Sequence, residues 1–229
     1  MKKPEPARPA QYTSLIEQYR NAFLQHQNSP ASVLCPKGRQ DIRYASLTSS
    51  LRDNSFSVLD YGCGLGHLKS YLDRKFTNYT YVGADIVPEF IAECRKNFPD
   101  STFLHIKDHH DILEKYDHVV LSGVFNIDYF SNPQKHREFV FNVLEYLFQC
   151  TRVSLSCDFM SDRVDFVQDG AFHLNEAELI RFVQERMSTR FRLDHSYMPY
   201  EFSLSVFKDH RVIRPSNVYH SIEDESLKT

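Results

Sequence analysis

Apolar and polar positions change rhythm along this chain, and from residue 56 onward short β-rich runs alternate with longer stretches of helical spacing. That alternation marks a mostly parallel sheet with helical crossovers. Residues 56–60 predict a first strand and 67–74 a helix, with Leu68, Tyr71 and Leu72 on its apolar stripe. A second strand is predicted over 79–85. Pro88 then stands where a first helical turn tolerates it, and Phe90, Ile91, Cys94 and Phe98 form a stripe that Pro99 ends. Residues 102–106 make a short third strand. The run 117–122, centred on His118, Val119, Val120 and Leu121, reads as a fourth strand, buried on both faces.

Gly123 ends that run, and a helix over 133–150 turns Phe139, Val140, Val143, Leu144 and Leu147 towards the core. A fifth strand follows at 152–158, then a loop with Asp162, Asp165 and Gly170, a helix over 175–186, and β-like runs at 191–197 and 201–207. Only Met198, Pro199 and Tyr200 separate the last two runs, too little for a parallel crossover, so they are expected to pair antiparallel. Residues 1–50 differ in character, with a Pro-rich start expected to be mobile and an amphipathic helix over 12–26 carrying Leu15, Tyr19 and Phe23. This segment is read as a cap or lid on one α/β domain spanning 51–209. The polar, aperiodic stretch 210–229 is left as a tail without assigned structure.

Composition narrows the class. The 229 residues suffice for one core, and the 41% hydrophobic and 25% charged shares are those of a globular chain rather than a disordered one. A formal charge of -3 removes any general electrostatic case for nucleic acid or an anionic membrane, which leaves a small molecule as the expected partner. Cys35, Cys63, Cys94, Cys150 and Cys157 are odd in number and show neither a C-x-x-C pair nor zinc-site spacing, as suits reduced thiols in a cytosol. No apolar run approaches the roughly 20 residues of a spanning helix, and the start at Lys2, Lys3, Pro4 and Glu5 lacks a signal-peptide core. A cytoplasmic location is expected.

Three of the seven glycines, Gly62, Gly64 and Gly66, stand at alternate positions directly behind the first strand. Glycine at that density is expected to let backbone amides approach a ligand. A dinucleotide loop would read G-x-G-x-x-G, but His67 occupies the place of its last glycine. Asp60, at the strand end, would repel a pyrophosphate yet suits a cationic sulfonium bearing an ammonium group. The loop therefore favours S-adenosylmethionine. Asp85 ends the second strand about 20 positions beyond, where an acidic side chain can accept hydrogen bonds from both ribose hydroxyls.

The run Asp60-Tyr61-Gly62-Cys63-Gly64-Leu65-Gly66 resembles motif I of class I S-adenosylmethionine-dependent methyltransferases, acidic-x-Gly-x-Gly-x-Gly. The segments Ser29-Pro30-Ala31-Ser32-Val33-Leu34, Lys37-Gly38-Arg39-Gln40, Leu121-Ser122-Gly123-Val124-Phe125-Asn126 and Tyr200-Glu201-Phe202-Ser203-Leu204 resemble a group of small bacterial tailoring methyltransferases. The resemblance implies a Rossmann-like, seven-stranded sheet, mostly parallel with an antiparallel last strand and helices on both faces. It also implies methyl transfer from S-adenosylmethionine to a small-molecule or saccharide acceptor, foremost by O-methylation. N- or carboxyl-methylation, and cofactor binding without transfer, stand as alternatives, with an NAD-dependent enzyme as a further one.

Asp108 follows the third strand, where this fold supplies an acidic or amide side chain to the adenine amino group; a solvated loop carboxylate is the competing reading. Arg43, with Arg39 beside it, is assigned to the carboxylate of the methionine moiety, against a plain surface helix. Gly123 completes the cofactor set, and Phe125 and Asn126 behind it stand where the class faces its acceptor. Candidate bases at the carboxyl ends of the strands are His109, His110, Asp128, Asp158 and His173, none singled out by spacing. No metal is expected, because neighbouring side chains such as His109 and His110 point apart in an extended loop and no third ligand has diagnostic spacing. The absence of an Asn-Pro-Pro-Tyr-type tetrapeptide after the fourth strand favours an oxygen acceptor.

Overall fold

A computed structural model describes residues 10–33, 39–52 and 55–208. The Pro-rich start, the Leu34 to Gly38 part of the resembling segments and the tail from 209 lie outside these residues. In chain order the helices are α1 (Ala10–His26), α2 (Gln40–Leu47), α3 (His67–Asp73), α4 (Pro88–Asn97), α5 (Pro133–Gln149) and α6 (Glu176–Arg186). The strands are β1 (Phe56–Tyr61), β2 (Tyr79–Asp85), β3 (Thr102–His105), β4 (Tyr116–Leu121), β5 (Thr151–Ser161), β6 (His173–Leu174), β7 (Phe191–Asp194) and β8 (Glu201–Phe207).

They form one eight-stranded sheet of order β3-β2-β1-β4-β5-β8-β7, with β6 paired to β5 beside that path. The first five strands are mutually parallel, and β8 runs antiparallel to both β5 and β7. The mostly parallel sheet with its antiparallel last strand thus takes the expected form. The eighth strand is the two-residue β6, too short to leave a periodic signal. The hairpin is looser than its sequence suggests: β7 stops at Asp194, whose Oδ1 accepts from the Ser196 amide at 2.8 Å and turns the chain out of the ladder.

Strand burial explains the apolar runs. In β1, Leu59 and Tyr61 pack with the buried side chains of α5 and α6, whereas Phe56 and Val58 pack with those of α2, α3 and α4. Alternate residues of one strand thus feed two cores, one on each face of the sheet. Pro88 begins α4, and Asn132 and Asn175 cap α5 and α6 by accepting from the amides of Lys135, Ala177 and Glu178. The sequence reading assigned no element to α2, whose eight residues are too few for a clear stripe, although Tyr44, Ser46 and Leu47 are buried. A third cluster joins Leu15 and Ile16 of α1 to Leu65, Val87 and Phe90, so α1 lies over the glycine loop and the start of α4.

Candidate cofactor site

The carboxyl ends of β1, β2 and β4 open into a cavity that α1 and α2 close from the side. Asp60, Gly62, Gly64, Asp85, Gly123 and Arg43 all line it. The glycine loop works differently from the sequence expectation. The Gly62 and Cys63 amides donate to the Ala84 carbonyl at 2.7 and 3.1 Å, and the Gly66 amide donates to the Cys63 carbonyl at 3.0 Å. The Gly64 amide donates to Asp85 Oδ2 at 2.9 Å. These amides are engaged within the protein, so the loop is no open cradle for a phosphate.

What the glycines supply is conformation and room. Gly62 and Gly64 sit at φ +76° and +52°, in the left-handed region. A Cβ on Gly62 would stand 2.7 Å from Val124 Cγ2, and one on Gly64 would stand 2.8 Å from Val33 Cγ1. Gly66, also left-handed, serves as the N-cap of α3 and does not line the cavity.

Two buried carboxylates face the cavity from adjacent strands. Asp60 Oδ2 accepts from the Tyr81 hydroxyl at 2.6 Å. Burial pushes the Asp60 carboxyl up to about 7, the nearby Asp85 charge adds to this, and the Tyr81 hydrogen bond works against it. Asp85 accepts from Gly64 with one oxygen and from the Val87 amide, at 2.9 Å, with the other. Burial raises Asp85 to about 6, while the amides of Val87, Gly64 and Ile86 hold it down. Asp85 therefore ties the loop to β2 and still presents free lone pairs, since each carboxylate oxygen accepts more than one bond.

On the opposite wall, Arg43 of α2 reaches two acids. Its Nε lies 2.7 Å from Asp158 Oδ2 in the second half of β5, and its Nη2 lies 2.8 Å from each carboxylate oxygen of Glu201 in β8. Asp158 Oδ1 accepts from the Gly123 amide at 2.7 Å. Burial raises Asp158 to about 6, Arg43 and the Gly123 amide oppose this, and the Glu201 charge adds to it. The Tyr197 hydroxyl is buried nearby without a hydrogen-bond partner, held in its neutral form by burial and by the charges of Asp158 and Glu201.

The remaining candidates lie apart. Asp108 sits just past Ile106, which lines the cavity, but is itself turned to cap the short 3-10 turn His109–Asp111. His109 is buried there and His110 is exposed; neither lines the cavity. Asp128 lies 3.6 Å from the Nδ1 of the fully buried His136, which also accepts from the Tyr129 amide and bonds the Phe125 carbonyl through Nε2. His173 belongs to a separate groove with Arg137, Asn175 and Glu178, at the N-terminal ends of α5 and α6. None of the candidate bases lines the cavity, and Asp158 touches it only through Arg43 and Gly123, which do. Further polar side chains that line the cavity include Tyr19, Gln40, Tyr44, His67 and Tyr129. Glu201 belongs to a segment that carried the resemblance, but nothing in the sequence paired it with Arg43, 158 positions away.

A Rossmann-like sheet of this order, with acidic side chains and a glycine loop at the carboxyl ends of β1 and β2, defines a class I S-adenosylmethionine-dependent methyltransferase. The donor set fits that cofactor, because the two buried carboxylates are suited to a cationic ligand and the engaged loop amides are not suited to a pyrophosphate. A family model described as a methyltransferase domain matches residues 52–189, and the chain belongs to that family. A Mycobacterium tuberculosis protein designated a methyltransferase, Rv1506c, is 27% identical over 155 residues, covering 67% of this chain and 93% of its own.

Solved structures share the fold at low identity. Magnesium protoporphyrin IX methyltransferase from Synechocystis PCC 6803, with bound S-adenosylmethionine, superposes with a TM-score of 0.63 at 16% identity, covering 89% of this chain and 100% of that one. The Burkholderia thailandensis 1,6-didemethyltoxoflavin-N1-methyltransferase gives 0.62 at 12% identity, with 92% and 94% covered. Human N-acetylserotonin methyltransferase gives 0.63 at 15%, with 90% and 60% covered. The protein is a methyltransferase that uses S-adenosylmethionine as its methyl donor. Among the described residues no helix is long and apolar enough to cross a membrane.

Proposed function

We propose that the protein methylates a hydroxyl group of a small, uncharged, sugar-like acceptor. The observation that carries this reading is the charge of the cavity wall. Asp60 and Asp85 face the cavity, and Arg43, the one lysine or arginine among the described residues that line it, is shared with Asp158 and Glu201, so once it holds the donor's carboxylate it has no charge to spare for an acceptor's. A wall with surplus negative charge suits a cationic donor and a neutral acceptor, and it opposes an acceptor carboxylate. The Gly123-Val124-Phe125-Asn126 sequence after β4, with no Asn-Pro-Pro-Tyr-type tetrapeptide, supports oxygen over nitrogen.

S-adenosylmethionine supplies an electrophilic methyl group on its sulfonium. In this reading Asp85 accepts from the ribose hydroxyls and Asp60 meets the cationic end of the donor, while Asp108, turned into its own 3-10 turn, takes no part in holding the adenine. Arg43, oriented by Asp158 and Glu201, takes the donor's carboxylate. Gly62, Gly64 and Gly123 leave the room these contacts need, and Gly66 starts α3 in the conformation that shapes the loop. Helix α1, with Leu15 and Tyr19 in the wall, acts as the lid that keeps water from the in-line displacement. His109, His110, Asp128 and His173 have no part in this arrangement. A cytoplasmic location goes with the reading, on the strength of the scattered cysteines.

Release of S-adenosylhomocysteine, measured over a panel of sugar, phenol, amine and carboxylate acceptors, tests it. Transfer to hydroxyl compounds is the expected result. Turnover confined to carboxylates or to amines would overturn the choice of acceptor.

A further inference from the structure

Outside the cofactor cavity, the turn after β3 gathers Asp108, His109 and His110 so that one ligand-type atom from each lies within 4.8 Å of the others. An extended loop would have sent the two imidazoles to opposite sides. The 3-10 turn instead brings their rings together, with centroids 4.0 Å apart. Two further observations point to a cation. The His109 side chain is 9% exposed, and its Nδ1 is buried with no hydrogen-bond partner. His110 Nδ1 lies 3.1 Å from Asp108 Oδ1, so two ligand-type atoms stand side by side where one ion could reach both.

We propose that Asp108, His109 and His110 form a binding site for one divalent metal ion of the zinc class, with its remaining positions open to water. Two imidazoles and one carboxylate match the preferences of Zn2+, Ni2+ and Co2+ and not those of Mg2+, which favours all-oxygen octahedra. The exposed His110 gives the ion an entry path and can swing to close the ligand set, and Tyr146 packs edge-on against both rings. Where Nδ1 of His110 carries a proton, coordination there breaks that N–H bond, and the proton passes to Nε2 of the same ring or to solvent.

Titration calorimetry of the tag-free protein with ZnCl2 tests the site. One equivalent should bind, MgCl2 should give no heat, and His110→Ala and Asp108→Asn should each weaken Zn2+ binding at least about tenfold, the lower end of what disturbing a metal's ligand shell costs. Both side chains stand outside the core, and unchanged circular dichroism would show that the variants remain folded. Substituted Co2+ should lack a thiolate charge-transfer band. Absence of Zn2+ binding, binding indifferent to both substitutions, or a thiolate band showing that cysteines hold the ion would each overturn the assignment.

Discussion

Arg43 Nε lies 2.7 Å from Asp158 Oδ2, joining a helix that precedes the sheet to a buried residue of its fifth strand. Asp158 is fully buried, and through its other oxygen it also holds the Gly123 amide. One ion pair therefore sets both the α2 wall and the β4 loop. Removing one partner of a buried pair leaves an uncompensated charge and costs about 3–5 kcal/mol. Arg43→Ala should be destabilised on that scale at pH 8 and less so at pH 5, where Asp158 takes up a proton. Urea unfolding at the two pH values measures the difference.

The buried carboxylate of Asp60 makes stability depend on pH in a direction opposite to that of a salt-bridged acid. Its folded value of about 7 lies above the ordinary 3.8, so the folded state holds the proton across the window between them. Its contribution to stability therefore declines as pH rises through that window and levels off above it. Asp60→Asn should gain about 3 kcal/mol relative to wild type between pH 5 and pH 8, roughly two pKa units at about 1.4 kcal/mol each. Burial lowers His136 to about 4, which makes it act in the opposite sense, but its effect is common to both proteins and cancels in the comparison.

Binding of the donor should be linked to the same protons. A cationic ligand favours the ionised forms of Asp60 and Asp85, so affinity for S-adenosylmethionine should rise from pH 5.5 to pH 8 with release of protons. Calorimetry in buffers of different ionisation enthalpy counts them. Affinity that does not change with pH would remove both carboxylates from contact with the ligand's charge.

Substitutions at the loop and at β2 should abolish donor binding while the sheet stays folded. Gly64→Val places a branched side chain at φ +52°, with its Cβ 2.8 Å from Val33 Cγ1. Asp85→Ala removes the proposed acceptor for the ribose and unties the Gly64 and Val87 amides. Two charge-assisted hydrogen bonds at about 1.5–3 kcal/mol each imply a loss of at least about 100-fold. Affinity for S-adenosylhomocysteine within a factor of three of wild type in both variants would defeat the assignment. NAD should give no thermal shift where S-adenosylhomocysteine gives one.

Helix α1 should be the part that loosens first. Ile16 is buried against the Leu65, Val87 and Phe90 cluster, and truncating such a residue to alanine costs about 2–5 kcal/mol. Ile16→Ala should expose α1 to limited proteolysis while the sheet resists, and S-adenosylhomocysteine should restore protection if α1 closes over the donor. Cleavage equal with and without the ligand would separate α1 from the site.

Much of the molecule was legible in the sequence because its signals are local. Runs such as 117–122 are apolar on both faces, and Pro88, Asn132 and Asn175 mark helix starts by their own chemistry. The motif from Asp60 to Gly66 and the acid at Asp85 follow from the same local logic, since a strand end and its following turn are neighbours in the chain. Short elements were not legible: α2, β6 and the 3-10 turn at 109–111 offer too few residues for any period to emerge.

What the sequence determined by itself was the sheet of alternating strands and helices, the glycine loop behind β1 and the acid that ends β2. What only the tertiary structure decided was where the charges meet. Arg43 and Glu201 are 158 positions apart, and Asp158 lies between them in sequence; no pattern links them until β8 is laid beside β5 and α2 is packed across both. Tertiary packing likewise turned the loop amides inward onto Ala84 and Asp85 and set His109 against His110, because a hydrogen bond or a ring contact depends on distance in space, which local sequence periodicity does not encode.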